Sequence, residues 1–245
     1  MCSLTLVIRE HGYLLGMNRD EQVARGVGLP PTMRDIDRTQ GMYPTDGADG
    51  TWIGANDRGV TLALLNWHDV AFHTAKGRSR GLVIPAVLGA ATFVDFNQKI
   101  TDLDLHGLLP FRLVGIFPIE QKVGEWRWDT MKKQILHHAW EHRLWCSSSL
   151  SDEHAEDLRG RAATHAAGEA DTQSATWLRR LHASHTAGPY SFCVHRGGVE
   201  TLSYSEVECS RDVVRMTYLG GNPCQPHSVR QLELPRNSAS VAVAS

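Results

Sequence analysis

The residue whose position most suggests chemistry is Cys2, which directly follows the initiator methionine. Methionine is usually removed when a small residue follows it, and removal would give Cys2 both a thiol and a free α-amine. The reference pKa values of these groups are about 8.5 and about 7.7–8.0, so the amine can accept the proton of its own thiol near neutral pH. Cys2 is therefore a candidate nucleophile that needs no second side chain as general base.

Two short β-rich runs near the N-terminus predict a hairpin that places Cys2. They cover residues 4–8 and 13–17 and flank the turn signal Glu10-His11-Gly12. If the turn is centred on His11, the numbers of paired residues add up to about 22. This register puts Cys2 opposite Asp20.

The second run ends in the polar quartet Asn18-Arg19-Asp20-Glu21. Opposite Cys2, we expect Asp20 to hold the α-amine by a charge-assisted hydrogen bond and Arg19 to favour the thiolate. Such a quartet is also typical of a solvated strand end. Its functional interpretation depends on its place beside Cys2.

The remaining segments predict one α+β domain over residues 1–222. Hairpins outnumber β-α-β units, so the sheets should be largely antiparallel. A second hairpin covers residues 51–66, a helical pattern covers 80–100, and strand patterns cover 111–117, 123–128, 135–146, 191–194, 199–208 and 213–219. Further helices are predicted over residues 153–168 and around Trp177. We expect an irregular functional loop at residues 22–50 and a loosely held tail at residues 223–245.

Four motifs in fixed order resemble those of the NRDE family, which includes the transport-and-Golgi-organisation proteins. The residues that carry the resemblance are Met1-Cys2, Asn18-Arg19-Asp20-Glu21, Gly50-Thr51-Trp52-Ile53-Gly54 and Ser79-Arg80-Gly81. A more distant likeness is to bile-salt hydrolases and penicillin V acylases, which are N-terminal-nucleophile hydrolases. It is carried by Asn18-Arg19-Asp20 and by Leu64-Leu65-Asn66. The likeness implies a four-layer αββα sandwich.

The same likeness implies roles for the candidate residues. Asp20 would orient the amine, and Asn66 or its backbone would stabilise the oxyanion. The chain departs from these hydrolases in two places. Met17 stands where they carry an arginine, and Ser147-Ser148-Ser149 stands where they carry a second oxyanion asparagine.

Three residues are assigned to substrate binding: Asn18, Trp52 and Arg80. Arg80 precedes a predicted helix and would contact an anion or a carboxylate there. A solvated loop explains Arg80 equally well.

Two functions follow as hypotheses. In the first, the protein is an amidohydrolase that cleaves a non-peptide or small acyl amide, and Cys2 forms a thioester acyl-enzyme. In the second, it is a non-catalytic lipid- or haem-binding or trafficking protein on the same fold. Cys2 would then ligate haem iron or simply pack, and tryptophans would line an apolar cleft.

Composition limits the possible partners. A formal charge of −2, from 25 basic and 27 acidic residues, provides no basic surface for nucleic acid. The longest apolar run, residues 82–91, is too short for a membrane span, and no signal peptide is apparent, so we expect a cytoplasmic protein. The sequence leaves the oligomeric state open.

No cofactor or metal is expected from the motifs. Nucleotide-binding, zincin and serine-hydrolase motifs are absent from the sequence. His138 and His142 would form a zinc-binding pair only on a helix, and their neighbours alternate as in a strand. The five cysteines form no C-x-x-C pair, and packing is the preferred explanation for Cys193 and His195.

Overall fold

The protein is described by a computed structural model that covers residues 2–70, 77–167, 174–226 and 228–237. Within these ranges the strands form two seven-stranded sheets in which neighbouring strands run antiparallel. In the same ranges, no helix is both long enough and apolar enough to cross a membrane.

The strands of the first sheet are β1 (Cys2–Arg9), β2 (Gly12–Gln22), β10 (Arg143–Ser147), β11 (His195–Arg196), β12 (Val199–Cys209), β13 (Val213–Gly220) and β14 (Val229–Pro235). Their order in the sheet is β10-β1-β2-β12-β13-β14, and the short strand β11 pairs with the start of β12.

The second sheet is a meander in chain order. Its strands are β3 (Leu29–Ile36), β4 (Thr39–Thr45), β5 (Ile53–Asn56), β6 (Thr61–Asn66), β7 (Phe111–Phe117), β8 (Lys122–Trp128) and β9 (Lys133–His138). The helices are α1 (Val83–Val87), α2 (Phe93–Asp102), α3 (Asp152–Ala167) and α4 (Ala175–Ala183).

Side-chain alternation along β1 shows how the layers form. Leu4 and Leu6 point into an apolar core between the two sheets, whereas Val7 points outward and packs with Leu178 of α4. Helices α1 and α2 cover the outer face of the second sheet, where Phe96 is fully buried. The predicted α+β class and its αββα layers are confirmed.

The segment predicted as an irregular loop, residues 22–50, contains β3 and β4. Strand β3 lies at the edge of its sheet and is mostly exposed, so it lacks the apolar alternation that marks a half-buried strand. Pro30 and Pro31 further disguise it, and its pairing with β4 shifts register there. The loop prediction is wrong for this reason.

The alternating segment at residues 135–146 is split between the two sheets. Strand β9 closes one edge of the second sheet, and β10 begins the first sheet beside β1. Alternation identifies a strand but not the sheet to which it belongs.

The tail predicted from residue 223 contains a further strand of the first sheet. Strand β14 pairs with β13 over seven residues, from Leu219↔Val229 to Val213↔Pro235, and Leu234 is buried. The prediction of a loose tail is wrong for β14, because one strand among Pro, Ser and Gln residues gives little periodic signal. Residues 238–245 lie outside the described residues.

Candidate functional site

The hairpin of β1 and β2 places Cys2 opposite Arg19, one residue away from the predicted partner Asp20. The turn holds two residues rather than three, because Gly12 already pairs with the end of β1. Gly12 has a φ of 147°, and a Cβ atom there would lie 2.0 Å from the carbonyl oxygen of Cys209. Only glycine allows this approach.

Arg19 shares the face of Cys2, since directly paired residues of an antiparallel sheet point to the same side. Its guanidinium lies 4.7 Å from the ring centroid of Trp52, on the segment that leads into β5 of the other sheet. Its Nη1 donates to the carbonyl oxygen of Gly26 at 3.4 Å. Arg19 therefore bridges the two sheets beside Cys2.

Cys2 is buried, with 7% of its surface exposed. Burial raises the pKa of its thiol, and the charge of Asp20 raises it further. A backbone hydrogen bond from Asp20 and the charge of Arg19 lower the pKa. Arg19 thus acts in the predicted direction but does not outweigh burial.

Asp20 points to the opposite face of the sheet, towards the helices. Its Oδ1 accepts a 2.6 Å hydrogen bond from Thr201 Oγ1, and its Oδ2 lies 3.6 Å from Arg159 Nη2. Burial raises the pKa of Asp20, whereas the charge of Arg159 lowers it. The Asp20 carboxyl group therefore lies on the helix side of the first sheet, on the strand next to the one that carries Cys2.

Arg159 on α3 is a site residue that the sequence did not reveal. Its side chain is 1% exposed, and its Nη1 donates to the carbonyl oxygen of Cys2 at 3.3 Å. Its Nε donates to the carbonyl oxygens of Tyr190 and Ser191 at 2.9 and 3.1 Å. An arginine in a polar helix is usually solvated, so only its position in the fold identifies it.

Ser147 lies opposite Cys2 on the other side, where β10 pairs with β1. Its Oγ is buried and has no hydrogen-bond partner among the described residues. The run Ser147-Ser148-Ser149 therefore starts next to Cys2. Met17 packs in the core between the sheets.

A cleft of about 330 Å³ opens beside Arg19. Four of the predicted site residues line it: Arg19, Trp52, Asn66 and Arg80. The other lining residues are Glu21, Arg25, Asp46, Thr51, Leu64, Gly77, Arg78, Ser79, Gly81 and Leu109. Cys2 is not among them and lies buried on the face that it shares with Arg19.

Two glycines bring the separate motifs at residues 50–54 and 79–81 together. Thr51 N donates to the carbonyl oxygen of Gly81 at 3.0 Å. A Cβ atom on Gly81 would lie 2.6 Å from Gly50 Cα, so position 81 leaves no room for a side chain. This contact sets Arg80 beside Trp52 at the cleft.

The cleft carries an excess of positive charge. Arg25 is paired with Glu21 at 2.8 Å and with Asp46 at 3.2 Å. Arg19 and Arg80 form no ion pair with a carboxylate of the described residues. Burial lowers the pKa of Arg80, whereas the charge of Cys2 raises it, which places the thiol within electrostatic reach of this guanidinium.

Two neutral side chains with hydrogen-bonding groups also line the cleft. The Nε1 of Trp52 is buried and, within the described ranges, has no hydrogen-bond partner. Asn66, at the end of β6, is half-buried. The arginines can bind an anion, and the side-chain amide of Asn66 can bind a carbonyl oxygen.

Asn18 does not reach the cleft, contrary to its predicted substrate-binding role. It is fully buried, and its Nδ2 donates to the carbonyl oxygens of His182 and Phe192 at 2.9 and 2.8 Å. Its Oδ1 lies 3.1 Å from Nδ1 of His182, whose pKa is lowered by burial to about 3. Asn18 faces the helices because it alternates with Arg19, and its role there is structural.

The histidines of the 137–146 segment have other partners. His138 Nε2 lies 2.9 Å from Glu125 Oε2, and His142 Nδ1 accepts a hydrogen bond from Ile8 N at 2.9 Å. They belong to β9 and to the β9–β10 connection rather than to a helix.

Comparison with solved structures places this geometry in a known fold. Penicillin V acylase from Agrobacterium tumefaciens is similar with a TM-score of 0.57 and 11% identity, over 96% of this chain and 86% of that chain. The C2A mutant of conjugated bile acid hydrolase from Clostridium perfringens gives a TM-score of 0.49 and 12% identity, over 100% and 99% of the two chains. The first likeness shows that this chain shares the fold of that acylase.

Sequence comparison identifies the family. No curated protein matches the chain significantly. A family model described as Transport and Golgi organisation 2 (TANGO2) matches residues 1–124, which is half of the chain. The resemblance predicted from the motifs is thereby confirmed, and the chain belongs to the Transport and Golgi organisation 2 family.

Proposed function

We propose that the protein is an N-terminal-cysteine amidohydrolase that cleaves the C–N bond of a non-peptide or small acyl amide bearing an anionic group. The observation that carries this proposal is the position of Cys2. It lies at the start of β1, between Arg19 and Ser147 on the neighbouring strands, with Asp20 and Arg159 behind it. The basic cleft lies next to Arg19.

The reaction begins after removal of Met1, when the α-amine of Cys2 accepts the thiol proton. The sulfur attacks the amide carbonyl carbon, and the oxyanion is stabilised by Asn66 and by backbone N–H groups. Collapse breaks the C–N bond, and the departing amine takes the proton from the α-ammonium. Water, deprotonated by the same α-amine, then attacks the thioester and releases the carboxylic acid and the free thiol.

The residues around Cys2 have supporting roles in this proposal. Asp20, itself braced by Arg159, holds the α-ammonium by a charge-assisted hydrogen bond. Because burial raises the pKa of the Cys2 thiol, the intramolecular base is needed to form the nucleophile near neutral pH.

Recognition of the substrate is assigned to the cleft. Of the four arginines that line the cleft, Arg19 and Arg80 form no ion pair with a carboxylate of the described residues. The ring of Trp52 lies beside Arg19, and its indole N–H is buried. A carboxylate or similar anion on the substrate would pair with these two guanidiniums.

The test is a panel of acyl amides of equal length that end in a carboxylate or in a neutral methyl ester, with amine release as the readout. We expect the wild type to prefer the carboxylates and Cys2→Ala to be inactive. Arg80→Met should lose most of the preference, about 1.5–3 kcal/mol or roughly one to two decades in kcat/KM. Arg78→Met, whose guanidinium is already paired with Asp104, is the matched control. Absence of turnover of every amide by the Met1-free protein would refute the proposal.

Three core tryptophans do not support the lipid- or haem-binding hypothesis. Trp126, Trp128 and Trp145 are buried in the apolar cores and do not line the cleft. The cleft itself is charged, which suits an anionic group better than an apolar chain.

A further inference from the structure

Three metal-ligating side chains converge outside the cleft: Cys193, His195 and Cys224. The Nε2 of His195 lies 3.3 Å from Cys193 Sγ and 3.2 Å from Cys224 Sγ. All three donor atoms lie within 4.8 Å of one another. Cys193 and His195 lie on one segment, and Cys224 follows His195 by 29 positions. The fold therefore assembles the cluster.

The backbone and one neighbouring side chain hold the cluster in place. Cys193 N donates to the carbonyl oxygen of Ser184 at 2.8 Å, and Cys224 lies in a turn closed by Gln225 N and the carbonyl oxygen of Asn222 at 3.0 Å. The side-chain amide of Asn222 lies 3.0 Å from His195 Nδ1. Nε2 is directed at the two thiols. When Nε2 binds a metal, Nδ1 carries the ring proton, and the Asn222 amide orients the imidazole by turning its Oδ1 to accept a hydrogen bond from Nδ1.

We propose that Cys193, His195 and Cys224 bind one Zn²⁺ ion through two thiolates and one imidazole, with the fourth position open to water or another ligand. Bond lengths of about 2.3 Å to sulfur and about 2.05 Å to nitrogen in a tetrahedron separate S and N by about 3.6 Å. The two observed S···N distances are within about 0.4 Å of that value, so small movements would admit the ion. Each thiol loses its proton to solvent when the metal binds.

The donor set selects the metal. Two thiolates and an imidazole suit zinc, whereas oxygen ligands suit magnesium and calcium. Cys193 is buried, Cys224 is half-buried and His195 is exposed, so an ion can enter from the side of the histidine. The sequence alone favours simple packing for Cys193 and His195. It does not reveal Cys224 as a third ligand, because Cys224 lies 29 positions beyond His195 in the chain.

The site also lies close to the proposed catalytic group Asp20. Val194, between the two ligands, donates from its N–H to Thr201 Oγ1 at 2.8 Å, and that hydroxyl donates to Asp20. A bound ion would stabilise the position of Val194, and through Thr201 that of Asp20, without lying in the cleft.

The experiment uses the full chain, reduced and stripped of metal, and titrates Zn²⁺ in competition with a chromogenic chelator. We expect one ion per chain. Co²⁺ should give the thiolate charge-transfer band and intense visible bands of a tetrahedral site. Asn222→Ala should weaken Zn²⁺ binding about 10–100-fold, the usual effect of removing the group that orients a ligand.

Cys224→Ser and His195→Ala should each weaken Zn²⁺ binding more than Asn222→Ala does. Their matched controls are Cys209→Ser, a thiol outside the cluster, and His106→Ala, another exposed histidine. Circular dichroism checks that each variant folds.

Three results would overturn the proposal. The first is no stoichiometric Zn²⁺ binding by the reduced wild type. The second is Zn²⁺ binding that folded Cys224→Ser and His195→Ala retain unchanged. The third is a stoichiometric Cys193–Cys224 disulfide, detected by peptide mass after thiol blocking, in protein that binds no Zn²⁺ once reduced. None of these results depends on amidase activity, so a failure here is distinct from a failure of the proposed function.

Discussion

Replacing Asp20 by asparagine separates the two effects of this carboxylate on Cys2. The charge of Asp20 raises the thiol pKa, so Asp20→Asn should shift the pH profile of iodoacetamide labelling of Cys2 to lower pH. The α-ammonium would lose its charge-assisted bond, which is worth about 1.5–3 kcal/mol, so acylation should slow by roughly one to two decades. Labelling and turnover should therefore change in opposite directions.

The fold should survive this substitution. Burial raises the pKa of Asp20, so its ionised form is less favourable in the folded than in the unfolded chain, and its charge costs stability at neutral pH. Asparagine can still accept the hydrogen bond of Thr201. Glu10→Gln, in the exposed turn, is the control. A labelling profile identical to that of wild type at every pH would show that Asp20 does not act on Cys2.

At the residue scale, sequence could predict those site residues that belong to short local motifs. Arg19, Trp52, Asn66 and Arg80 were found because each stands in or beside a motif, and the structure brings them to one cleft. Arg159 could not be found in this way, since its role depends on the packing of α3 against a strand 157 positions earlier in the chain. Asn18 stands in the same motif as Arg19, but side chains alternate along β2, so Asn18 points to the helix side of the sheet and away from the cleft.

At the scale of elements, Glu125 on β8 joins the two sheets. Its Oε1 accepts 2.7 Å hydrogen bonds from Arg112 Nε and Arg127 Nε, and its Oε2 accepts one from Trp145 Nε1, on β10, at 3.1 Å. Burial opposes its ionisation, but the charges and hydrogen bonds of the two arginines outweigh burial and lower its pKa to about 2. The carboxylate is thus ionised and paired in the core.

Glu125→Gln should lower the free energy of unfolding by about 3–5 kcal/mol, because it removes the buried carboxylate that two guanidiniums share and leaves the buried Arg112 with only the half-exposed Glu156 as an ionic partner. The pKa of Glu125 is lower in the folded chain, so its contribution is present above about pH 4.5 and is lost as pH falls towards about 2. Urea unfolding at pH 7 and at lower pH measures both effects. Glu141→Gln, an exposed carboxylate paired with Arg143, should change stability by less than about 0.5 kcal/mol. Equal losses for the two variants would contradict this role of Glu125.

Elements with strong periodicity were predictable, and those without it were not. The hairpins at residues 4–17 and 51–66 and the strands β7 and β8 follow the alternation of the sequence. Strand β3 is an exposed edge strand, and β9 and β10 form one continuous alternating pattern that crosses from one sheet to the other. Local patterns do not encode which edge a strand will join.

At the scale of the whole molecule, β14 makes the C-terminal segment part of the domain. Truncation after residue 222 would remove β14 and expose the edge of β13, and we expect a strongly destabilised or insoluble protein. Truncation after residue 237 keeps β14 and should leave the melting temperature nearly unchanged. Thermal unfolding of both products makes the comparison. Equal stability of the two would mean that β14 contributes nothing to the first sheet.

The proposed function depends most directly on the covalent state of Cys2. Intact mass and peptide mapping of the purified protein, before and after brief incubation with a carboxylate-bearing acyl amide that has a good leaving group, measure that state. We predict a chain that lacks Met1 and carries, during turnover, one acyl group on Cys2 that hydroxylamine releases. Cys209→Ser should behave as wild type, and Cys2→Ala should remain unmodified. A chain that retains Met1, or a Met1-free chain that hydrolyses the amide without any acyl group on Cys2, would contradict the proposal.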